Sequence, residues 1–192
     1  MQLDALREVA NVGCGQAATA LSRLVGGHKV QIDVPRALVA DPLDLPEELG
    51  GEEQRVVAAS LGMQGGLTGH LLLVLPEDDA RRLCALLLKV PGAGELREDE
   101  RGAFSEAANI IASACLNAIG QLTGLRLLPT VPKVAQDLAG SVLDEVLAQF
   151  ESQVVVALEA RFFTLASPPI EGQLWVVPDR ASLRRLLEAL GV

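Results

Sequence analysis

Two Glu-x-x-Asn pairs are the residues of this chain whose types and spacing could do chemistry: Glu8 with Asn11, and Glu106 with Asn109. An asparagine carboxamide has one hydrogen-bond acceptor and two donors, and a neighbouring glutamate can pair with a cation. Residues three apart lie side by side on a helix surface, so each pair would form one small polar site. A single pair of this kind is usually part of a solvated helix face, but its recurrence within one chain favours a shared role.

Both pairs belong to a segment that occurs twice. When residues 3–26 are set above residues 101–124, identities recur at a constant offset, at Ala5, Glu8, Ala10, Asn11, Ala20, Leu24 and Gly26 of the first copy. A β-like stretch that ends in proline follows each copy, at Pro35 and at Pro132. The sequence therefore predicts an internal duplication.

The rest of the chain extends this duplication to its full length. Each half closes with an apolar strand, a proline and a helix, in GHLLLVLPEDDARRLCALLL and again in GQLWVVPDRASLRRLLEAL. The Gly/Pro/acidic stretch 91–100 is the predicted junction. We predict one domain, 1–192, made of two repeats over about 1–95 and 96–192.

Periodicity and turn signals predict an α+β fold built from two αβββα-like halves whose sheets join. The predicted helices are 3–25, 77–88, 99–123, 135–150 and 179–190. The predicted strands lie near 28–34, 54–62, 67–75, 125–131, 153–162 and 172–177. Between the first two strands the halves differ, because the first half has the Pro- and Glu-rich stretch DPLDLPEELGG, which predicts at most a short helix, where the second has helix 135–150.

The two long helices have one apolar stripe each, with the Glu/Asn pair opposite it. At about 100° per residue from Leu6, the stripe of the first helix spans about 60° on either side. It contains Leu6, Ala10, Gly13, Ala17, Ala20, Leu21 and Leu24. The stripe of the second helix contains Phe104, Ala108, Ile111, Cys115, Ala118, Ile119 and Leu122. Both pairs are therefore predicted to be exposed, although asparagine is a mediocre helix former.

Composition excludes several classes of function. The formal net charge of −9 argues against a general nucleic-acid binder, because phosphate neutralisation needs clustered Lys and Arg. Two histidines and three scattered cysteines give no metal-ligand spacing, and the phosphate-loop and dinucleotide fingerprints are absent. The N-terminus lacks the pattern of a signal peptide, and no apolar run approaches the roughly 20 residues of a membrane span. We expect a cytoplasmic protein.

The duplicated motif resembles that of the CheC-type phosphatase family of bacterial chemotaxis. The family motif is Asp/Ser-x3-Glu-x2-Asn-x22-Pro, and here Asp4, Glu8, Asn11 and Pro35 match the first copy. The second copy matches except at Gly102, where Asp or Ser is expected. The first copy has one residue more between its Asn and its Pro, which we place in the Gly-Gly turn after the helix.

The resemblance implies hydrolysis of the aspartyl phosphate on the response regulator CheY. Asn11 and Asn109 would orient the attacking water, and Glu8 and Glu106 would pair with a lysine of the partner. An acyl phosphate is already activated, so positioning a water in line with phosphorus is the main requirement. The Mg²⁺ of this chemistry would belong to the response regulator, so no cofactor is expected in this chain. Asp4, at the outer motif position, is assigned to partner binding.

The resemblance also implies a second partner. CheC relatives use a helix in the region of 135–150 to bind the receptor deamidase CheD, and Asp144 and Glu145 lie on the polar side of this helix. An ordinary amphipathic helix that covers the sheet is the competing interpretation. Two alternatives to a CheC-type phosphatase stay open: a mainly non-catalytic adaptor that binds CheD, and a CheX- or FliY-like relative.

Overall fold

A computed structural model describes residues 2–33, 35–90, 95–148, 155–165 and 168–192. Its helices are α1 (Gln2–Leu24), α2 (Leu45–Glu48), α3 (Glu77–Leu88), α4 (Glu98–Thr123), α5 (Ala139–Leu147) and α6 (Arg180–Ala189), with a 3₁₀ turn at Pro42–Asp44. Its strands are β1 (Val30–Ile32), β2 (Arg36–Ala40), β3 (Arg55–Gly65), β4 (Gly69–Pro76), β5 (Leu127–Pro129), β6 (Lys133–Leu138), β7 (Val155–Thr164) and β8 (Glu171–Pro178). The predicted α+β class is confirmed.

The eight strands of the described residues form one antiparallel sheet in the order β1-β7-β8-β4-β3-β5, with β2 also on β7 and β6 also on β3. The pairing is reciprocal, because the first two strands of each half bind the third strand of the other half. At the centre β4 pairs with β8, and Leu72 lies opposite Trp175. This is the pairing that a duplicated chain with a two-fold axis would produce, and it supports the two-repeat organisation, which stays a prediction.

Both faces of the sheet are covered, which explains why its central strands are continuous apolar runs rather than alternating ones. On one face, Leu71, Leu73 and Leu75 of β4 pack with α1, α3, α4 and α6. On the other face, Leu72 and Val74 pack beneath α2 and α5. The molecule is therefore a three-layer sandwich with the two long helices on one side.

The region predicted as helix 135–150 is different, and this correction has a clear cause. Residues Lys133–Leu138 form β6, which pairs with β3 from Ser60 to Arg55, and the helix begins only at Ala139. The hydrogen bonds offered by the exposed edge of β3 outweigh the local helical pattern. Residues 149–150 lie outside the described part of the chain. The other edge strand, β2, was also not predicted.

The long helices pack against each other through small residues. A side chain at Gly13 would meet Cys115 and Ile119 at 3.0 Å, and Ala17 lies with Ile111 around a small apolar pocket. Moving from Gly13 to Ala17 along α1, the contact residues on α4 move from Ile119 and Cys115 back to Ile111. The two helices are therefore antiparallel. The predicted stripes are buried except at Ala20 and Leu24, which are half-buried, and Leu122, which is exposed.

The turns that end the long helices differ by one residue. After α4, Gly124 alone has a positive φ, of 71°, whereas Gly26 and Gly27 after α1 have φ values of 73° and 83°. At the constant offset of the repeats, Gly26 corresponds to Gly124, so Gly27 is the extra residue. Left-handed backbone of this kind favours glycine.

We expect Gly120→Ala to destabilise the protein by about 2 kcal/mol, as overpacking does in a filled core. A Cβ at Gly120 would lie 2.5 Å from the carbonyl oxygen of Leu125, a backbone atom that cannot move aside cheaply. Gly102→Ala in the same helix is the control, since nothing lies within 4 Å of that position. It should gain up to about 1 kcal/mol from helix propensity. Urea unfolding measures both; equal gains for the two variants would contradict the packing described.

Candidate functional site

The first candidate site lies on the outward face of α1. Glu8 and Asn11 are both exposed, whereas Leu6, Val9 and Ala10 between and beside them are buried against the sheet and α4. The helix thus holds the polar pair rigidly at the surface through the burial of its opposite face. Its i,i+3 spacing puts the two side chains about 5–6 Å apart at their Cβ atoms.

The second candidate site repeats this arrangement on α4. Glu106 is exposed and Asn109 is half-buried, while Ala107, Ala108 and Phe104 are buried. The predicted exposure agrees with the structure for Glu8, Asn11 and Glu106, whereas Asn109 is only partly exposed. Because α1 and α4 are antiparallel and each pair lies in the first half of its helix, the two sites lie toward opposite ends of the helix pair.

The four side chains have no internal partners in the part of the chain that the structure describes. No hydrogen bond or ion pair there involves the carboxylate of Glu8 or Glu106 or the carboxamide of Asn11 or Asn109. All donors and acceptors of these groups can therefore serve water or a bound protein. Two neighbouring groups of this kind can orient a water molecule and dock a cation without any change in the fold.

The outer parts of the two sites differ. Asp4 is exposed and forms an ion pair with Arg7, with Asp4 Oδ1 and Arg7 Nη1 3.5 Å apart. At the constant offset, the corresponding positions of α4 are Gly102 and Ser105, which are uncharged. Sequence reasoning did not single out Arg7, although its i,i+3 spacing from Asp4 was the signal.

Asp144 and Glu145 lie far from these pairs, on the opposite side of the sheet. Both are exposed on α5, but the apolar residues of this helix are at most 9% exposed: Ala139, Val142, Leu143, Val146 and Leu147. The described residues of this helix therefore present no exposed apolar edge to a partner. The sequence-predicted site residues thus fall into two exposed pairs on one face and one acidic patch on the other.

The cysteines belong to the core rather than to a site. Cys14, Cys84 and Cys115 are all buried and none is in a disulfide. Burial raises the pKa of the Cys84 thiol to about 12, so the thiol is protonated and a poor nucleophile at neutral pH. Among the described residues, no group of three or more His, Cys, Asp or Glu side chains could hold a metal ion. No described helix is long and apolar enough to cross a membrane.

Comparison with known proteins identifies the family. The CheC-like family profile matches residues 1–39. The CheY-P phosphatase CheC of Bacillus subtilis (strain 168) is 32% identical to this chain over 99% of the chain and 94% of that protein. The chain therefore belongs to the CheC-like family.

Solved structures share the fold at lower sequence identity. FliY of Thermotoga maritima matches with a TM-score of 0.79 and 20% identity, over 99% of this chain and 96% of that one. CheX of Borrelia burgdorferi, in a complex with CheY, BeF₃ and Mg²⁺, matches with a TM-score of 0.59 and 13% identity, over 87% of this chain and 96% of that one. This chain therefore shares its fold with these FliY and CheX structures.

Proposed function

We propose that this chain is a phosphatase that hydrolyses the aspartyl phosphate of the response regulator CheY. The observation that carries the proposal is the presence of two Glu-x-x-Asn pairs at the surface of two long helices, in a chain 32% identical to a CheY-P phosphatase over nearly its full length. The reaction breaks the bond between phosphorus and the aspartyl oxygen, and water supplies the oxygen of the released phosphate.

In the mechanism that we propose, Asn11 and Asn109 orient the attacking water. The carboxamide oxygen accepts a hydrogen bond from the water, and the NH₂ group can donate to a phosphoryl oxygen. This positioning requires no shifted pKa, because the acyl phosphate is already activated and alignment is the main barrier. The rigid backbone of each helix fixes the carboxamide relative to the docked partner.

Glu8 and Glu106 are proposed to dock the partner rather than to take part in bond breaking. Each carboxylate is exposed, unpaired within the described chain, and one helical turn from its asparagine. A lysine of the response regulator can pair with it, which would place the asparagine over the phosphoryl group. Asp4 would extend this contact at the first site.

The proposed chemistry places Mg²⁺ on the response regulator, with no cofactor bound by this chain. Since the two sites lie toward opposite ends of the helix pair, each is proposed to act on its own copy of CheY. We also propose a cytoplasmic location, where a soluble response regulator acts.

Phosphate release from phosphorylated CheY, measured with and without the pure chain, tests the proposed function. An unchanged rate of phosphate release would refute it.

The acidic patch of α5 supports a second proposal, an interaction with the receptor deamidase CheD. Asp144 and Glu145 are exposed at the surface of α5, while the apolar side of the helix packs on the sheet. The contact would therefore be mainly electrostatic. The apolar side of α5 cannot also insert into an apolar groove of CheD, because it already packs on the sheet. It would leave both Glu/Asn pairs free, because α5 covers the other face of the sheet.

We expect Asp144→Lys/Glu145→Lys to weaken CheD binding about ten-fold or more, because reversed charges at an interface repel the former partner group. The phosphatase rate should stay unchanged. Calorimetric titration of CheD from the same organism measures the affinity. Asp44→Lys/Glu47→Lys is the matched control, since both residues are exposed at the corresponding place of the first half. Absence of binding to the wild-type chain would exclude the interaction.

A further inference from the structure

On the face of the sheet beneath α2 and α5, the two halves contribute two equivalent positions, called the first place (around β2 and β7) and the second place (around β6 and β3). In the register of the edge strands, Arg36 on β2 lies opposite Glu159 on β7, and Lys133 on β6 lies opposite Ser60 on β3. Arg36 and Lys133 each come directly after a motif proline. The same edge position therefore carries a cation in both halves, but a carboxylate faces it in one half alone.

The first place is filled by its own charged side chains. Glu159 is 1% exposed and accepts hydrogen bonds from Arg36 Nε at 2.5 Å and from Arg161 Nε at 2.9 Å. Glu48, at the end of α2, bonds to both arginines, at 3.1 Å from Arg161 Nη2. Trp175, opposite Glu159 on β8, is fully buried. Burial of the Glu159 carboxylate is tolerable because two arginines, both partly exposed, pair with it.

The second place is an open cavity of about 340 Å³ between β3, β4, β6 and α5. Three residues on its floor are smaller than those at the matching positions of the first place: Ser60 for Glu159, Gly62 for Arg161 and Leu72 for Trp175. The cavity therefore lacks the carboxylate of Glu159 and the guanidinium of Arg161, and it has an isobutyl group in place of the Trp175 indole.

Two charged groups of the first place, Arg36 and Glu48, nevertheless have equivalents of the same charge at the cavity. Lys133 corresponds to Arg36, and Glu145 follows it by the same 12 residues that separate Glu48 from Arg36. In the described chain neither Lys133 nor Glu145 forms an ion pair or a side-chain hydrogen bond. An ammonium group and a carboxylate therefore line one cavity without being paired.

We propose that this cavity binds a small zwitterion, an α-amino acid. Its carboxylate would bind Lys133 and the Ser60 hydroxyl, and its ammonium group would bind Glu145. The filled place shows which charges are missing: one carboxylate and one cation, 2.9 Å apart. An α-amino acid carries these two charges on a single carbon, and an apolar side chain of it can pack on Val142 and Val146.

Isothermal titration of the full chain with L-leucine tests the proposal. We expect saturable binding by L-leucine and none by 4-methylpentanoate or 3-methylbutylamine, which carry the carboxylate or the ammonium group alone. Absence of L-leucine binding up to about 10 mM, near the weak end of small-ligand affinities, would overturn the proposal. Equal binding by either single-charge analogue would overturn it too.

Variants assign the binding to this cavity. Lys133→Met and Glu145→Gln should each weaken L-leucine binding about ten-fold or more, the usual effect of one lost charge-assisted hydrogen bond. Ser60→Glu supplies the carboxylate found in the other half and should abolish binding. Lys29→Met and Glu47→Gln, at exposed positions outside the cavity, should leave the affinity unchanged. Undiminished affinity in all three cavity variants would place the ligand elsewhere and refute the proposed site.

Discussion

We expect the double variant Asn11→Ala/Asn109→Ala to lose all acceleration of CheY-P dephosphorylation, so that phosphate is released at the spontaneous rate of the response regulator. Removing both carboxamides removes the group that aligns water with phosphorus, and alignment of this kind contributes about 100-fold or more. Either single variant should keep partial activity, because the two sites lie apart on antiparallel helices. Phosphate release at saturating CheY-P measures the effect.

The control for this double variant is Asn117→Ala, which removes an exposed asparagine from α4 two turns beyond the pair. It should keep the full rate. Since Asn11 is exposed and Asn109 is half-buried without internal hydrogen bonds, all variants should lose no more than about 0.5 kcal/mol of stability. Full activity in a folded double variant would show that the asparagines do not position the water.

The long helices could be predicted from sequence because their stability is encoded locally. A continuous apolar stripe, good helix formers and a terminal glycine coincide in α1 and α4, and the predicted bounds lie within one residue of the observed ones. The exposure of Glu8 and Glu106 follows from the same phase, because a residue opposite a buried stripe faces solvent. Local pattern was therefore sufficient for the candidate sites.

The edge strands could not be predicted, because their partners are distant in sequence. Strand β2 pairs with β7 from Arg36 opposite Glu159 to Ala40 opposite Val155, more than 100 residues away. Nothing within the segment itself distinguishes it from a loop after a proline. Strand β6 was assigned to helix 135–150 for the same reason, since its hydrogen bonds come from β3 rather than from neighbouring residues.

The ion network around Glu159 was missed although a signal was present. Glu159 and Arg161 interrupt a largely apolar strand, and a buried carboxylate at such a position must be paired. Its partner Arg36 lies in an edge strand whose register depends on the whole sheet. The difference between the ion network of one half and the open cavity of the other therefore became visible only in the structure. The similarity of the two motif helices was already visible in the sequence.

Charge reversal at both docking residues, Glu8→Lys/Glu106→Lys, should raise the KM for CheY-P by about 30-fold or more, because each carboxylate is replaced by a group that repels the partner's lysine. The kcat at saturating CheY-P should change far less, since both asparagines remain. Glu8→Gln/Glu106→Gln should have a smaller effect in the same direction. Raising the salt concentration should increase the KM of the wild-type chain more than that of the glutamine variant, which keeps only the attraction of Asp4 and of the net charge.

The control for charge reversal must alter the net charge by the same amount at a distance from the sites. Asp44→Lys/Glu47→Lys does so, because both residues are exposed and lie in the 3₁₀ turn Pro42–Asp44 and in α2, on the other face of the sheet. We expect this control to keep the KM of the wild-type chain, which would separate contact at the sites from general attraction by a chain of net charge −9. A collapse of kcat with an unchanged KM in Glu8→Lys/Glu106→Lys would instead mean that the glutamates act on the reacting groups. The division of labour between glutamate and asparagine would then be wrong, although the location of the sites would stand.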